Sequence, residues 1–386
     1  MFQQGAGYYP GQSQRLTLNF APIMRIAVIG CLVNQQSGEG YRVYLEQILR
    51  YLAQQHAEHQ FLLINNPAYS TTVGNFANVT PVVVKPSING RITKFWWYQV
   101  TLPLLLRRLK ADVFVGTQGS CSFTTRVPQV LVLPGNVSLK KAKAIRRCIT
   151  RATAVVTTSH FLRNHVLKLH KVTPGKVLVV PGAPDNSLEP LEWEAKERIK
   201  EQYAEGCEYF VFTGGFHPGN NLLTLLKAFS LFKKRQQTNM KLLVTGDLKP
   251  DHASTMELIE SYRFRKGVIL LGYLPRHEYV KVLAGAYALV YPGYFENIGM
   301  TVMEAMSCGV PVIGTNTAGV PEVVGDTSLL VDPTDATALA EHMKRLFKDE
   351  NFRATQVKRG LLYVERFNWE LSAREMWSAI EQTVSK

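Results

Sequence analysis

The chain has 386 residues, enough for two domains with ordinary cores, and its 46% hydrophobic and 19% charged residues read as globular and not disordered. No stretch approaches the roughly 18–20 uninterrupted apolar residues of a membrane span, and residues 1–20 lack the basic start, apolar core and small-residue cleavage site of a secretory signal. A net charge of +14 favours anionic partners: nucleotides, phosphorylated lipid carriers, a membrane surface or nucleic acid; no helix-turn-helix, zinc-finger or RNA-binding pattern selects the last.

Residues 1–23, rich in Gln, Gly, Tyr and Ser, read as a disordered leader, and Met24 opens the first convincing strand. From there apolar runs of strand length alternate with segments of helical spacing. The expected strands are "RIAVIG" (25–30), "FLLIN" (61–65), "PVVVK" (81–85), "DVFVG" (112–116), "QVLVL" (129–133), "AVVTT" (154–158) and "KVLVV" (176–180). The helices between them are expected at 41–55, 94–109, 138–151 and 160–170. Residues 181–208, "PGAPDNSLEPLEWE" and on, break the rhythm as a linker into a short helix. A second alternation follows, with strands at 209–215, 241–246, 267–273, 287–292 and 310–315. Its helices are expected near 221–235, 254–263, 276–285 and 300–307, with more helix from 334 and a last amphipathic one at 368–384. Such alternation predicts an α/β chain of two tandem Rossmann-like, doubly wound units, with ligands at the carboxyl ends of the strands and hence in an interdomain cleft.

The five cysteines, Cys31, Cys121, Cys148, Cys207 and Cys308, match neither a disulfide framework nor a zinc site, so the expected setting is reducing and cytosolic. His160, His165 and His170 have near-helical spacing but no matching acids, and no Asp-x-Asp pair is present, so no bound metal is expected.

The segment "GYFENIGMTVMEAMSCGVPV" (293–312) places Glu296 and Glu304 eight positions apart. Glu296 falls in a loop past a strand's carboxyl end, and Gly299, Met300 and Thr301 open a helix whose first amides lack intrahelical acceptors and carry partial positive charge. A diphosphate suits that position, and Gly299 allows close approach. Glu304, about one turn in, suits a ribose diol, while Glu296 faces whatever the diphosphate carries. The competing reading of the pair alone is a helix-capping Glu296 and a solvated Glu304.

"ENIGMTVMEAMSCGVPVIGTNTAGVPEVVGDTSLLVDPTD" (296–335) resembles the signature of the family 4 (group 1) glycosyltransferases, in which two glutamates eight apart are followed by a G-x-P-V turn, P-E-V and a D-P strand end. Weaker similarity runs in family order from Met24 through "SGEGYRVYLEQIL" (37–49), "FVFTGGFHPGNNLLTLLKAF" (210–229) and "FNWE" (367–370). The resemblance implies the GT-B fold. It implies an acceptor-side domain over 24–185, a linker and first helix over 186–208, a donor-side domain over 209–366, and a final helix, 367–386, returning to the first domain. It implies a retaining enzyme that moves a sugar, by way of a UDP- or GDP-linked donor, to a hydroxyl acceptor in glycan, polysaccharide or glycolipid synthesis, needing no metal. By position, Glu296 would act at the reacting centre and Glu304 at the ribose. The amides of Gly299, Met300 and Thr301 would meet the diphosphate, and Tyr273 and Leu274 the base. Gly214, Gly215 and Asn220 would form the turn above the phosphates, and Gly38 and Gly40 the first-domain loop. The nearest flavour is mannosyltransferase-like.

The chain departs from the family pattern twice. Where the family has an Arg and a Lys after its glycine turn, this chain reads Pro218-Gly219-Asn220-Asn221, and where it has a His-Asp pair, this chain reads Pro134-Gly135-Asn136. Lost cations weaken a diphosphate site, which keeps open a glycosyltransferase-like protein that binds a nucleotide-sugar or a partner with little transfer. An epimerase is a third reading. His217 and Arg42 are candidate replacements. The helix 138–151, with Leu139, Ala142, Ile145 and Ile149 on one face and Lys140, Lys141, Lys143, Arg146 and Arg147 elsewhere, reads either as an anionic-membrane contact or as a solvated helix packed on its own sheet. Trp96 and Trp97 are expected in the first-domain core. The expected location is cytoplasmic, on or near the inner face of a membrane.

Overall fold

The computed structural model describes residues 22–30, 39–65, 75–84, 91–133, 135, 142–246, 259–260, 262–294, 298–327 and 329–385. Two sheets, parallel throughout, organise them. The first holds β1 (Arg25–Ile29), β2 (Gln60–Asn65), β3 (Val79–Val83), β4 (Val113–Gly116), β5 (Gln129–Val132), β6 (Ala154–Thr157) and β7 (Val177–Val179), in the order β3-β2-β1-β4-β5-β6-β7. The second holds β8 (Tyr209–Thr213), β9 (Lys241–Thr245), β10 (Val268–Gly272), β11 (Ala288–Tyr291), β12 (Val312–Thr315) and β13 (Leu329–Val331), in the order β10-β9-β8-β11-β12-β13. Runs such as "RIAVI" and "YFVFT" are apolar on consecutive residues because helices cover both faces of each sheet. β3 is an edge strand, mostly exposed and carrying Pro81, which an inner strand would not tolerate.

Strand order reverses between β1 and β4 in one sheet and between β8 and β11 in the other, which opens a crevice at the carboxyl ends of each pair. At the first reversal Thr117 Oγ1 donates to Ile29 O at 2.8 Å, and the Tyr41 hydroxyl donates to Thr117 O. The twelve strands expected from the sequence all form, and β13 lies in the stretch that the sequence marked only through the D-P strand end. The helix expected at 254–263 falls mostly outside the described residues, as does most of the leader.

The two halves meet at several fixed points. The helix Trp369–Val384 packs on the helix Glu39–Gln55 and on β4 to β7. Its Trp369 Nε1 donates to Pro184 O at 3.0 Å, its Gln382 Nε2 donates to Gly175 O at 3.0 Å, and the Trp377 ring stacks on His56 at 3.6 Å between centroids. Glu322, on the helix Val320–Val324, accepts from His160 N at 2.7 Å and from Phe161 N. A carboxylate from the second half thus meets the positive amino end of the helix His160–His170, where orphan amides need acceptors.

The helix expected at 94–109 forms in three joined segments: Arg91–Trp96, a π turn Trp97–Thr101, and Leu102–Leu109. Pro103 explains the wide turn. It has no N–H to offer Gln99 O, its ring would collide with that carbonyl, and Thr124 Oγ1 donates to Gln99 O instead, at 2.6 Å. Trp97, Tyr98, Leu102 and Leu106 face the core, but Trp96 is 61% exposed. The expectation of two core tryptophans therefore holds for Trp97 and is corrected for Trp96. Neighbouring helix residues point about 100° apart, and the apolar face needed only one of them.

Candidate functional site

The site is built at the second reversal, from backbone first. Gly246 N donates to Gly272 O at 2.9 Å, and Gly214 N and Gly215 N both donate to Thr245 O, at 3.0 and 3.2 Å. Gly214, Gly215, Gly246 and Gly272 all have positive φ, so β8, β9 and β10 end in adjoining turns that a side chain would disrupt. The amides of Gly214 and Gly215 are committed to Thr245, so this turn offers a ligand shape rather than donors. Asn220 Nδ2 donates to Gly214 O and ties the Pro218–Asn220 turn down over it. His217 Nδ1 accepts from Gly219 N at 3.0 Å, a local bond that holds the imidazole to its own turn. Asn221 is buried, and its Nδ2 donates to Pro292 O at 2.9 Å and Pro333 O at 2.6 Å, joining this turn to the ends of β11 and β13.

From β11 the chain enters the loop carrying Glu296. Residues 295–297 lie outside the described residues, and so does Gly38. The ends of the loop are fixed. Tyr294 N donates to Gly219 O at 2.9 Å, and Ile298, 6% exposed, packs against Gly182 of the first domain, as do Met300 and Met303. Gly299 then takes φ +75° and opens the helix Met300–Ser307, whose first internal bond runs from Met303 N to Gly299 O at 2.9 Å. A Cβ at Gly299 would lie 2.5 Å from Val323 Cγ2. Gly299→Ala combines a left-handed backbone that costs an L-residue about 1–2 kcal/mol with this collision, and should lower stability by about 2–3 kcal/mol in denaturant titration.

Glu304 is buried, 3% exposed, which corrects the alternative in which it is solvated. Arg276 Nη2 meets its Oε1 at 2.7 Å and the Tyr279 hydroxyl donates to Oε2 at 3.1 Å; Tyr279 also lies 3.5 Å from Thr301 Oγ1. Arg276 and Tyr279 sit three apart on the helix Arg276–Ala284, so they reach the same spot, and the guanidinium carbon lies 5.5 Å from the Tyr279 ring centre. Burial pushes the Glu304 carboxyl above its usual range against the pull of Arg276. Burial works against the Arg276 charge too, but Glu304 outweighs it and holds Arg276 above its ordinary value; Asp185, where the chain leaves the first domain, adds to both upward shifts. This pair is not legible from the sequence, because Arg276 and Glu304 lie in different elements and no local spacing joins them. Tyr273, 66% exposed, and Leu274 lie in the stretch between β10 and that helix.

Gly40 lies in the first turn of the helix Glu39–Gln55 with open space around its α-carbon, and Arg42 is exposed on that helix. Of the stretch Pro134-Gly135-Asn136, only Gly135 is described. Among the described residues one trio has metal-like spacing, His56, Glu58 and His59, and it lies beneath the last helix, away from this pocket. His59 Nδ1 accepts from Met24 N at 3.2 Å, and its Nε2 lies 3.4 Å from Glu58 Oε1.

Comparison with known proteins places the chain in a family. Residues 194–362 match the model described as "Glycosyl transferases group 1" and residues 38–187 match "Glycosyltransferase Family 4". The chain belongs to the group 1, family 4 glycosyltransferases, and its fold is GT-B. A similar curated relative is the O-antigen chain mannosyltransferase B of Escherichia coli, 28% identical over 59% of this chain, of whose length this chain spans 60%. Similar solved structures are a sucrose-phosphate synthase from Thermosynechococcus elongatus (TM-score 0.75, 20% identity, 93% of this chain and 98% of that one) and Anabaena HepE in complex with UDP and glucose (TM-score 0.72, 16% identity, 93% and 99%).

Proposed function

We propose that the protein transfers a hexosyl group, with retention at the anomeric carbon, from a UDP- or GDP-sugar to a hydroxyl of a glycan or lipid-linked acceptor, with no metal ion. The observation that carries the reading is Glu304 buried on the glycine-opened helix Met300–Ser307, which follows β11 where strand order reverses. Leaving-group charge develops on the diphosphate, and the amides at the start of that helix meet it without reorganising. The bond from the anomeric carbon to the diphosphate oxygen breaks as the acceptor oxygen approaches on the same face, and the departing diphosphate oxygen takes the acceptor's proton. Glu296 faces the oxocarbenium-like sugar. Glu304 accepts from the ribose hydroxyls, since each of its oxygens keeps a lone pair beyond those used by Arg276 and Tyr279. The named E. coli relative supports a mannosyl donor as the first to try. The site of action is cytoplasmic, beside a membrane.

A second reading, nucleotide-sugar binding with little transfer, is favoured by one feature: Asn220 Nδ2 is bonded to Gly214 O at the place where the family pattern has a cation. A panel of UDP- and GDP-sugars, scored for binding, hydrolysis and transfer to several acceptors, separates the two. Turnover with one donor supports the enzyme; donor binding without turnover across all acceptors supports the second reading.

A further inference from the structure

The chain's positive charge is confined to part of it. Residues 59–184 carry 17 Lys and Arg against a single acid, Asp112, a net +16 where the whole chain is +14. The rest of the chain is therefore close to neutral. The basic helix in this region does not have an apolar face to spare. In its described part, Ala142–Arg151, Cys148 and Ile149 are buried and Ile145 is partly so, packed with Leu131, Val155 and Val166. Lys143, Arg146 and Arg147 are left on the outside.

The exposed apolar surface lies next door, on Arg91–Leu109. Ile92 is 75% exposed, Trp96 61%, Val100 42% and Leu104 63%, each four residues from the next, with Phe95 at 59% beside them. In a plain α-helix a four-residue step drifts by about 40° and such a row would spiral away. The π turn Trp97–Thr101 is wider and rotates the row back, so the four stay on one side over about 18 Å. Phe123, 42% exposed, extends the surface toward the basic helix: Gln99 Oε1 accepts from Phe123 N at 2.8 Å, and Arg147 lies 5.8 Å from the Phe123 ring centre. Ile92, Phe95 and Trp96 begin the helix that follows β3, toward the carboxyl end of the first sheet, and the row runs from there along the helix past Phe123, whose neighbour Ser122 is bonded to Gln129 at the start of β5.

We propose that this face docks on an anionic lipid bilayer. Ile92, Phe95, Trp96, Leu104 and Phe123 enter the boundary between headgroups and acyl chains, and Lys143, Arg146 and Arg147 rest on lipid phosphates. The charge selects the occupant. A second copy would bring one strongly cationic face against another, whereas anionic headgroups complement it. Resting on the glycosyl-transfer reading, the placement brings a lipid-linked acceptor to the first-domain mouth of the cleft.

The test uses the full chain and sedimentation with vesicles of phosphatidylcholine alone or with one-third phosphatidylglycerol. The wild type should bind only the anionic vesicles and release as salt screens the headgroups. Phe95→Ser/Trp96→Ser, and independently Leu104→Ser, should each bind about tenfold more weakly with unchanged melting temperature. Equal binding by both variants, or no wild-type binding at low salt, overturns the proposal. So does a wild-type dimer in sedimentation velocity that these variants lose, which would assign the face to a second copy. Donor hydrolysis is measured separately, so failure of the transfer reading leaves the vesicle result standing.

Discussion

Glu296→Ala should slow transfer about a thousandfold, a loss of ~4 kcal/mol of transition-state stabilisation, while the nucleoside diphosphate binds as tightly as to the wild type. The argument is one of position. Tyr294 is held by Gly219 on one side of the loop, and Ile298 and Gly299 are packed on Gly182 and Val323 on the other. On the proposed function Glu296, between these anchors, acts at the reacting centre. A carboxylate there meets positive charge only as the sugar loses its leaving group, so it lowers the barrier without contributing to ground-state nucleotide affinity. Single-turnover transfer with the best donor gives the rate, and calorimetric titration with UDP and GDP gives the affinity. Full activity in the variant would remove Glu296 from the reacting centre; a parallel loss of UDP or GDP affinity would make it a binding residue instead.

Much of this architecture is legible in the sequence, and the parts that are not share a cause. Strands such as "RIAVI" and "KLLVT" are buried on both faces, so an unbroken apolar run suffices to find them. The helix Met300–Ser307 starts at a glycine because the left-handed backbone and the contact with Val323 exclude a side chain, and the glycine is visible in the sequence even though the contact is not. By contrast, the Arg276–Glu304 ion pair and the cap that Glu322 places on the helix His160–His170 join distant elements. Nothing in local periodicity encodes them. Trp96 and Trp97 are a subtler case. Which of two adjacent tryptophans faces inward depends on helical phase, and the π turn upstream of Pro103 resets that phase part-way along. The same blind spot hid the apolar row from Ile92 to Leu104.

The Arg276–Glu304 pair leads to the second large effect. Glu304→Ala should weaken nucleoside diphosphate binding about a hundredfold, the value of hydrogen bonds to a charged acceptor in a pocket shielded from water. Arg276→Ala should cost about tenfold at neutral pH by a different route. Arg276 both orients Glu304, through the 2.7 Å contact on Oε1, and draws its pKa downward against the effect of burial. The ionised carboxylate is the form that accepts from a ribose diol, so affinity rises with pH as Glu304 loses its proton. With the guanidinium gone, the carboxyl stays protonated to higher pH, and the rise moves upward. Affinity lost by Arg276→Ala should therefore be partly recovered on going alkaline, Arg276→Lys should fall between variant and wild type, and Glu304→Ala should show no such limb. Titration calorimetry across pH reads all three. An Arg276→Ala variant with the wild type's affinity and pH profile would mean that the arginine merely covers Glu304 until a donor arrives. The profile separates these roles because a cover leaves the proton affinity of Glu304 in the complex unchanged, whereas a positioning charge does not.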